Sequence, residues 1–160
     1  MGFDLHLAPP VNFFEWDESR WDAYWRSDPP AEGEKLGNST YVGLTIECIT
    51  HNLEADRAGS VFPLLMRLEQ GDPPGWLLQE LPSLVDELGR VRAGLAALPI
   101  NRATLLYDND EDVRRRVDDF EKRNGHRPTN LYDLGERFVV TFERMARRAI
   151  ESGNGLVASF

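Results

Sequence analysis

Apolar side chains recur at alternating intervals of four and three residues within the segment 75–99. They are Leu77, Leu81, Leu84, Leu88, Val91, Leu95 and Leu98. This spacing puts all of them on one side of a helix, so the pattern predicts a short turn over 76–80 followed by a helix against a globular core. The helix is expected to begin near Pro82, since the first turn tolerates a residue without an N–H. Gly89 and Gly94 each cost about 1 kcal/mol against Ala in a helix interior, so we expect close packing beside both.

Other segments of the chain show helical patterns as well. Asp17 and the pair at 29–30 predict the cap and the stop of a helix rich in tryptophan. Residues 52–70 are expected to be helical in one or two pieces, and residues 113–123 predict an exposed helix of mixed charge. Near the end, a second amphipathic helix is predicted by Phe138, Phe142, Met145 and Ala149.

Alternation of apolar and polar residues predicts the strands. The segments that alternate in this way, or that are rich in β-formers, are 3–7, 42–48, 103–107 and 156–160. Residues 31–40 predict a loop. Together the patterns predict one α+β domain over residues 1–160, with a small, mainly antiparallel sheet packed on one face with three or four helices.

Charge limits the partners that this chain can have. It carries 27 acidic and 18 basic side chains, a net charge of −9, which repels nucleic acid and anionic membranes and favours basic partners. Acidity for solubility alone explains the same numbers. No apolar run approaches the roughly 18 residues that span a bilayer, and we expect no secretory signal at the N-terminus. The lone Cys48 cannot form an internal disulfide, which fits a cytoplasmic protein.

Aromatic and acidic residues are interleaved in the segment 11–30. Residues 15–34 hold seven acidic and two basic side chains. Tryptophan is frequent among the residues that dominate binding energy, and acidic rims speed association with basic surfaces. We therefore predict a partner-binding surface that contains Trp16, Trp21, Asp22 and Trp25. In the competing interpretation, most of these aromatic residues simply dock the helix on the core.

A second acidic cluster, Asp108, Asp110, Glu111 and Asp112, offers an alternative charged surface for a partner. Asp108, Asp110 and Asp112 take the first, third and fifth places of a calcium loop. However, Val113 stands where that loop needs Gly, and Asp119 where a bidentate Glu is usual, so the pattern fails and we expect a solvated loop without metal.

Known catalytic and cofactor motifs are missing from the sequence. No phosphate loop, nucleophile elbow, zinc-ligand spacing or dinucleotide fingerprint occurs, so neither a cofactor nor a catalytic residue is predicted. The enzyme alternative is a small hydrolase or metal-dependent enzyme that uses His51, His126 and the acidic 108–112 cluster. A third alternative is a structural, self-associating protein. The sequence leaves the oligomeric state open.

An ordered series of residues from Gly59 to Ile150 resembles a known family. The series comprises Gly59-Ser60, Phe62-Pro63, Leu65-Met66, Leu68, Gly71, Glu80, Leu84, Glu87, Leu88, Leu95, Leu98-Pro99, Asp108, Glu111-Asp112, Asn130-Leu131 and Ala149-Ile150-Glu151. It resembles the bacterial polymorphic-toxin immunity proteins called immunity protein 70. The resemblance implies a single immunity-type domain in the cytoplasm that binds a cognate toxin C-terminal domain and neutralises it by occlusion, without catalysis. The first 58 residues lie outside it.

Overall fold

The computed structural model describes residues 2–27, 33–54, 61–70, 74–105 and 111–159. The strands are β1 (Gly2–Ala8), β2 (Gly33–Asn38), β3 (Gly75–Trp76) and β4 (Gly155–Ser159). The helices are α1 (Glu18–Trp25), α2 (Ser39–Ile49), α3 (Arg67–Gln70), α4 (Leu81–Ala96), α5 (Glu111–Asn124) and α6 (Leu131–Ser152). A π-helix (Thr50–Glu54) continues α2, and short 3-10 turns cover Phe13–Glu15 and Leu78–Glu80.

The four strands form one antiparallel sheet in the order β2-β1-β4-β3. In the centre of the sheet, Leu5 of β1 lies opposite Glu34 of β2 and Ala158 of β4. The pairing of β1 with β2 shifts by one residue at Leu36, because Phe3 lies opposite Gly37 whereas Asp4 lies opposite Lys35. Strands β2 and β3 each have one neighbour, so both are edge strands.

Each face of the sheet is covered by a different part of the chain. Leu5, Leu156 and Ala158 belong to the large core, which includes the buried sides of α2, α4 and α6. Ala8 and Val157 point to the opposite face, where they form a second, smaller core with Phe13. The α+β class and the antiparallel sheet are thus confirmed, but α1 lies on the face opposite the other long helices.

The predicted central helix is confirmed as α4, and most of its apolar stripe is buried. Leu81, Leu84, Leu88, Val91 and Leu95 are at most 1% exposed. Close packing is found at only one of its two glycines. A Cβ at Gly94 would lie 2.9 Å from Leu53 Cδ2, whereas a Cβ at Gly89 would meet nothing within 4 Å.

The predicted C-terminal helix and final strand are confirmed as α6 and β4. Asn130 caps α6 by accepting the Asp133 N–H, and Gly153 ends it in the left-handed conformation at φ +71°. Phe138, Phe142, Met145 and Ala149 are fully buried along it. The helix therefore forms the centre of the larger core.

Two neighbouring predictions are wrong. Residues 33–38 form strand β2, where a loop was expected over 31–40. Residues 39–49 form helix α2, where a strand was expected over 42–48. The alternation that suggested a strand also contains a helical spacing. Val42, Thr45, Ile46 and Ile49 are buried, at intervals of three, one and three. Asn38 starts the helix by accepting the Tyr41 N–H at 2.7 Å.

The strand predicted over 103–107 is also wrong over its described part. Residues 102–104 form a turn, and Thr104 Oγ1 donates to Pro99 O at 2.6 Å. Residues 106–107 lie outside the described residues. In the region 52–70, the described helical parts are the π-helix and α3, while the remaining described residues, 61–66, form bends and turns. The helix predicted over 113–123 is confirmed as α5.

Candidate functional site

The aromatic segment at residues 11–26, called here the outer layer, covers the second face of the sheet. Its centre is Phe13, which is fully buried. A Cβ at Gly75 or at Gly155 would come within 2.8 Å of the Phe13 ring, so the ring lies directly on the backbone of β3 and β4. These two glycines are what allow the outer layer to sit so close to the sheet.

Tyr24 provides a second attachment of the outer layer. Its hydroxyl donates to Leu7 O at 2.6 Å. Burial raises the pKa of the Tyr24 phenol above its ordinary value, so the hydroxyl stays protonated at neutral pH and keeps its donor role. The outer layer is therefore attached to the sheet by a buried ring and by a half-buried hydrogen bond.

The tryptophans lie above these attachments, and their rings contact one another. The Trp16 and Trp21 ring centroids are 4.9 Å apart, and Trp21 and Trp25 are nearly parallel at 6.1 Å. Trp25 also contacts His6 of β1, at 5.3 Å between ring centroids. Trp16 and Trp21 are half-buried, and Trp25 is 37% exposed. The competing interpretation, that the aromatic residues dock the helix on the core, thus explains the burial of Phe13 fully. It explains the positions of these three tryptophans only partly, because each keeps part of its surface exposed.

The indole N–H groups distinguish these tryptophans from the one in the main core. Trp76 is fully buried, and its N–H donates to Leu64 O at 2.6 Å. In the part of the chain that the structure describes, the indole N–H groups of Trp16, Trp21 and Trp25 have no protein acceptor, and those of Trp16 and Trp21 reach the surface. The outer layer therefore offers indole hydrogen-bond donors to a molecule that binds it.

Further apolar and acidic side chains surround the tryptophans. Val11 is 47% and Phe14 is 49% exposed, so with Trp25 the outer layer holds three of the four large apolar side chains that are exposed among the described residues. Glu18 and Asp22 lie exposed on α1, and Asp22 is 3.9 Å from Arg26 in a solvent-exposed pair. Such a pair contributes little, which leaves the Asp22 carboxylate available to a partner.

The second predicted set of partner-binding residues lies elsewhere on the molecule. Asp108 and Asp110 lie outside the described residues. Glu111 and Asp112 form the first turn of α5, where Arg115 lies 3.3 Å and 3.5 Å from their carboxylates. Because α5 packs beside α6, this set and the outer layer lie on opposite sides of the sheet.

Among the described residues of the enzyme alternative, His126 lies far from Glu111 and Asp112, and Asp108 and Asp110 lie outside the described residues. His51 is exposed, with Nε2 3.3 Å from Ala103 O. Glu111 and Asp112 begin α5 and His126 follows its end, so the length of the helix, about 20 Å, separates them. No group of three or more potential metal ligands occurs among the described residues.

The structure also contains a groove that the sequence did not predict. It has a volume of about 600 Å³ and runs between β2 and α5, with α6 as its floor. Five arginines line it, namely Arg115, Arg116, Arg123, Arg137 and Arg144, together with five acidic residues. Arg116 and Arg123, and likewise Arg137 and Arg144, are seven residues apart, a helical spacing that was available as a signal in the sequence.

Comparison with known proteins gave no match, since no protein-family model fits the chain and no curated protein or solved structure is significantly similar to it. Within the described ranges, none of the helices combines the length and the apolar character needed to cross a bilayer.

Proposed function

We propose that this protein is an immunity protein that binds a cognate bacterial toxin domain through the outer layer and neutralises it by covering its active site. The observation that carries the proposal is the arrangement of Trp16, Trp21 and Trp25, which lie together in the outer layer with their indole N–H groups unused by the described protein. The ordered resemblance to immunity protein 70 supports the same function. The proposed place of action is the bacterial cytoplasm.

The chemistry of the surface favours a basic partner. Trp and Tyr side chains contribute large contact areas at low cost in conformational entropy, and they dominate many binding energies. The exposed carboxylates of α1 would attract a positively charged cleft and speed the encounter. Neutralisation by occlusion requires no catalytic group of this chain.

The proposed binding residues are Trp16, Trp21, Asp22 and Trp25. The outer layer takes precedence over the acidic set Asp108, Asp110, Glu111 and Asp112 because it combines its carboxylates with exposed aromatic side chains. Measuring variants of each set against the same toxin separates the two surfaces.

The test is rescue of bacterial growth combined with a binding measurement. The C-terminal domain encoded by the gene immediately upstream is expressed with and without this protein, and the affinity of the purified pair is measured. We expect restored growth and a stoichiometric complex. Trp25→Ala is expected to weaken the complex by tenfold or more, roughly the effect of losing a binding hot spot.

The matched control is the double variant Glu111→Ala/Asp112→Ala, which removes carboxylates on the opposite side of the sheet and should leave the affinity unchanged. If this control variant weakens the complex and Trp25→Ala does not, the outer layer is the wrong surface. If a domain that is toxic alone is neither bound nor neutralised, the immunity function is wrong.

A further inference from the structure

Strand β2 has an open edge that borders the groove. In an antiparallel pair, every second residue turns its N–H and C=O away from its partner strand. Among the described residues, the backbone of 33–37 makes no backbone hydrogen bond other than its pairing with β1. The groove beside this strand is therefore lined on one side by main-chain groups that can pair with another strand.

The dimensions of the groove suit an extended peptide. On the opposite wall, the lining residues of α5 run from Asp112 to Arg123, which corresponds to about 17 Å along a helix axis. An extended segment of five residues has about the same length. The floor contains Val140, which is 36% exposed and so offers an apolar contact to one side chain of such a segment.

Most of the charges in the groove are already engaged. Arg144 binds Glu34 through two hydrogen bonds, one of them at 3.1 Å. Arg123 lies 3.6 Å from Glu136. Asp133 accepts the Thr129 N–H at 2.8 Å, and Asp119 is exposed on the α5 wall.

The end of the groove near Tyr41 is positive. The Arg116 guanidinium lies 4.1 Å from the centre of the Tyr41 ring and donates to Thr45 Oγ1 at 2.9 Å. Arg137 is exposed beside it and forms no ion pair in the described part of the chain. Burial raises the pKa of the Tyr41 phenol, and the positive charge of Arg116 acts in the opposite direction, with smaller effects from Arg137 and Arg123.

We infer that the groove binds an extended segment of a partner protein, which adds to the edge of β2 as a fifth strand and places a carboxylate beside Arg137. Main-chain hydrogen bonds to β2 supply the part of the affinity that does not depend on the sequence of the bound segment. The carboxylate supplies selectivity and fixes the position of the segment along the groove. This surface lies on the opposite side of the sheet from the outer layer and does not depend on the proposed toxin.

The probe for this inference is the synthetic peptide acetyl-Thr-Val-Thr-Val-Glu-amide, which combines residues that favour strands with one carboxylate. It is titrated into the isotopically labelled full chain and followed by NMR. We expect shifts of the backbone amides of Gly33–Asn38 and of the residues that line the groove. Arg137→Gln should weaken binding by about fivefold, which corresponds to one exposed ion pair.

Two controls isolate the parts of the inference. Arg127→Gln changes an exposed arginine outside the groove and should leave the affinity unchanged. The same peptide with alternate backbone nitrogens methylated should not bind, because methylation removes the donors that a strand needs.

Three results would overturn the inference. The first is that the NMR signals of the β2 amides do not shift at millimolar peptide. The others are that the methylated peptide binds as tightly as the unmethylated one, or that Arg137→Gln binds the peptide as tightly as the wild type. A concentration-dependent dimer whose β2 amides shift on dilution would assign the edge to a second copy of this chain instead.

Discussion

Glu80 connects two segments of the chain that are distant in sequence. Its carboxylate receives two hydrogen bonds from the Arg67 guanidinium, at 2.7 Å and 2.8 Å, and a third from the Leu77 N–H at 2.9 Å. A bidentate interaction between an arginine and a carboxylate is stronger than an ordinary exposed ion pair. Glu80 therefore holds the turn before α4 against α3.

The first prediction concerns the pH dependence of this interaction. The Arg67 hydrogen bonds hold the pKa of Glu80 below its usual value. A carboxyl group whose pKa is lower in the folded protein than in the unfolded chain stabilises the fold above the unfolded pKa, near 4.3, and loses that contribution as the pH falls through the folded pKa. Glu80→Gln should cost about 1–2 kcal/mol in the free energy of unfolding at pH 7 and progressively less below about pH 4.

The measurement is urea unfolding of the wild type and the variant between pH 3 and pH 7. Glu111→Gln is the control, because the Glu111 side chain is 84% exposed in its pair with Arg115. A difference between wild type and Glu80→Gln that stays constant over this pH range would show that the carboxylate contributes no charge-dependent stability.

Helix α2 shows why part of the fold was predicted wrongly. Residues 42–48 satisfy a strand pattern and a helical pattern equally well, and β-branched residues favour the strand. The helical outcome depends on Asn38, which caps the helix, and on the packing of Ile46 and Ile49 in the large core. A short apolar segment does not reveal these tertiary contacts.

The second prediction compares the caps of two helices. Asn38 caps α2 and Asp17 caps α1 in the same way, each accepting the N–H of the residue three positions later. Asn38→Ala should lower the free energy of unfolding by about 1 kcal/mol, because α2 belongs to the large core. Asp17→Ala should have a smaller global effect, because α1 contains no buried residue, and should instead speed hydrogen exchange within α1.

Urea unfolding and amide exchange, measured on both variants, provide the comparison. Equal losses of global stability would mean that α1 is as tightly coupled to the core as α2. Faster exchange confined to α2 in Asn38→Ala, with unchanged global stability, would contradict the role assigned to that cap.

The same reasoning explains how much of the candidate surfaces was predictable. The segment 11–30 stands out in the sequence because its tryptophans and carboxylates are contiguous. The groove does not, because its walls and floor come from residues 34–41, 112–123 and 133–144. Long periodic segments such as α4 and α6 were predictable because many positions agree, whereas edge strand β2 has a single buried residue, Leu36.

At the scale of the whole molecule, the sheet separates two cores of unequal size. The larger core contains most of the buried side chains, from α2, α4, α6 and the sheet. The smaller one has three buried residues, Ala8, Phe13 and Val157. Because so few buried contacts hold it, the outer layer is expected to open more easily than the rest of the fold.

The last prediction follows from this imbalance. Truncating a buried Phe to Ala costs roughly 3–5 kcal/mol. In Phe13→Ala, that loss falls on a layer whose other attachments are few, so the outer layer should detach while the main core stays folded. Far-UV circular dichroism should keep most of its intensity, amide exchange in α1 should rise steeply, and exchange in α6 should remain slow.

Val140→Ala is the control, because Val140 is partly exposed on α6 and contributes nothing to the smaller core. If Phe13→Ala instead unfolds in one transition with equal exchange rates on both sides of the sheet, the two cores form one cooperative unit. If the outer layer detaches as expected, the same variant should lose affinity for the toxin domain, because the three tryptophans would no longer be held in one surface.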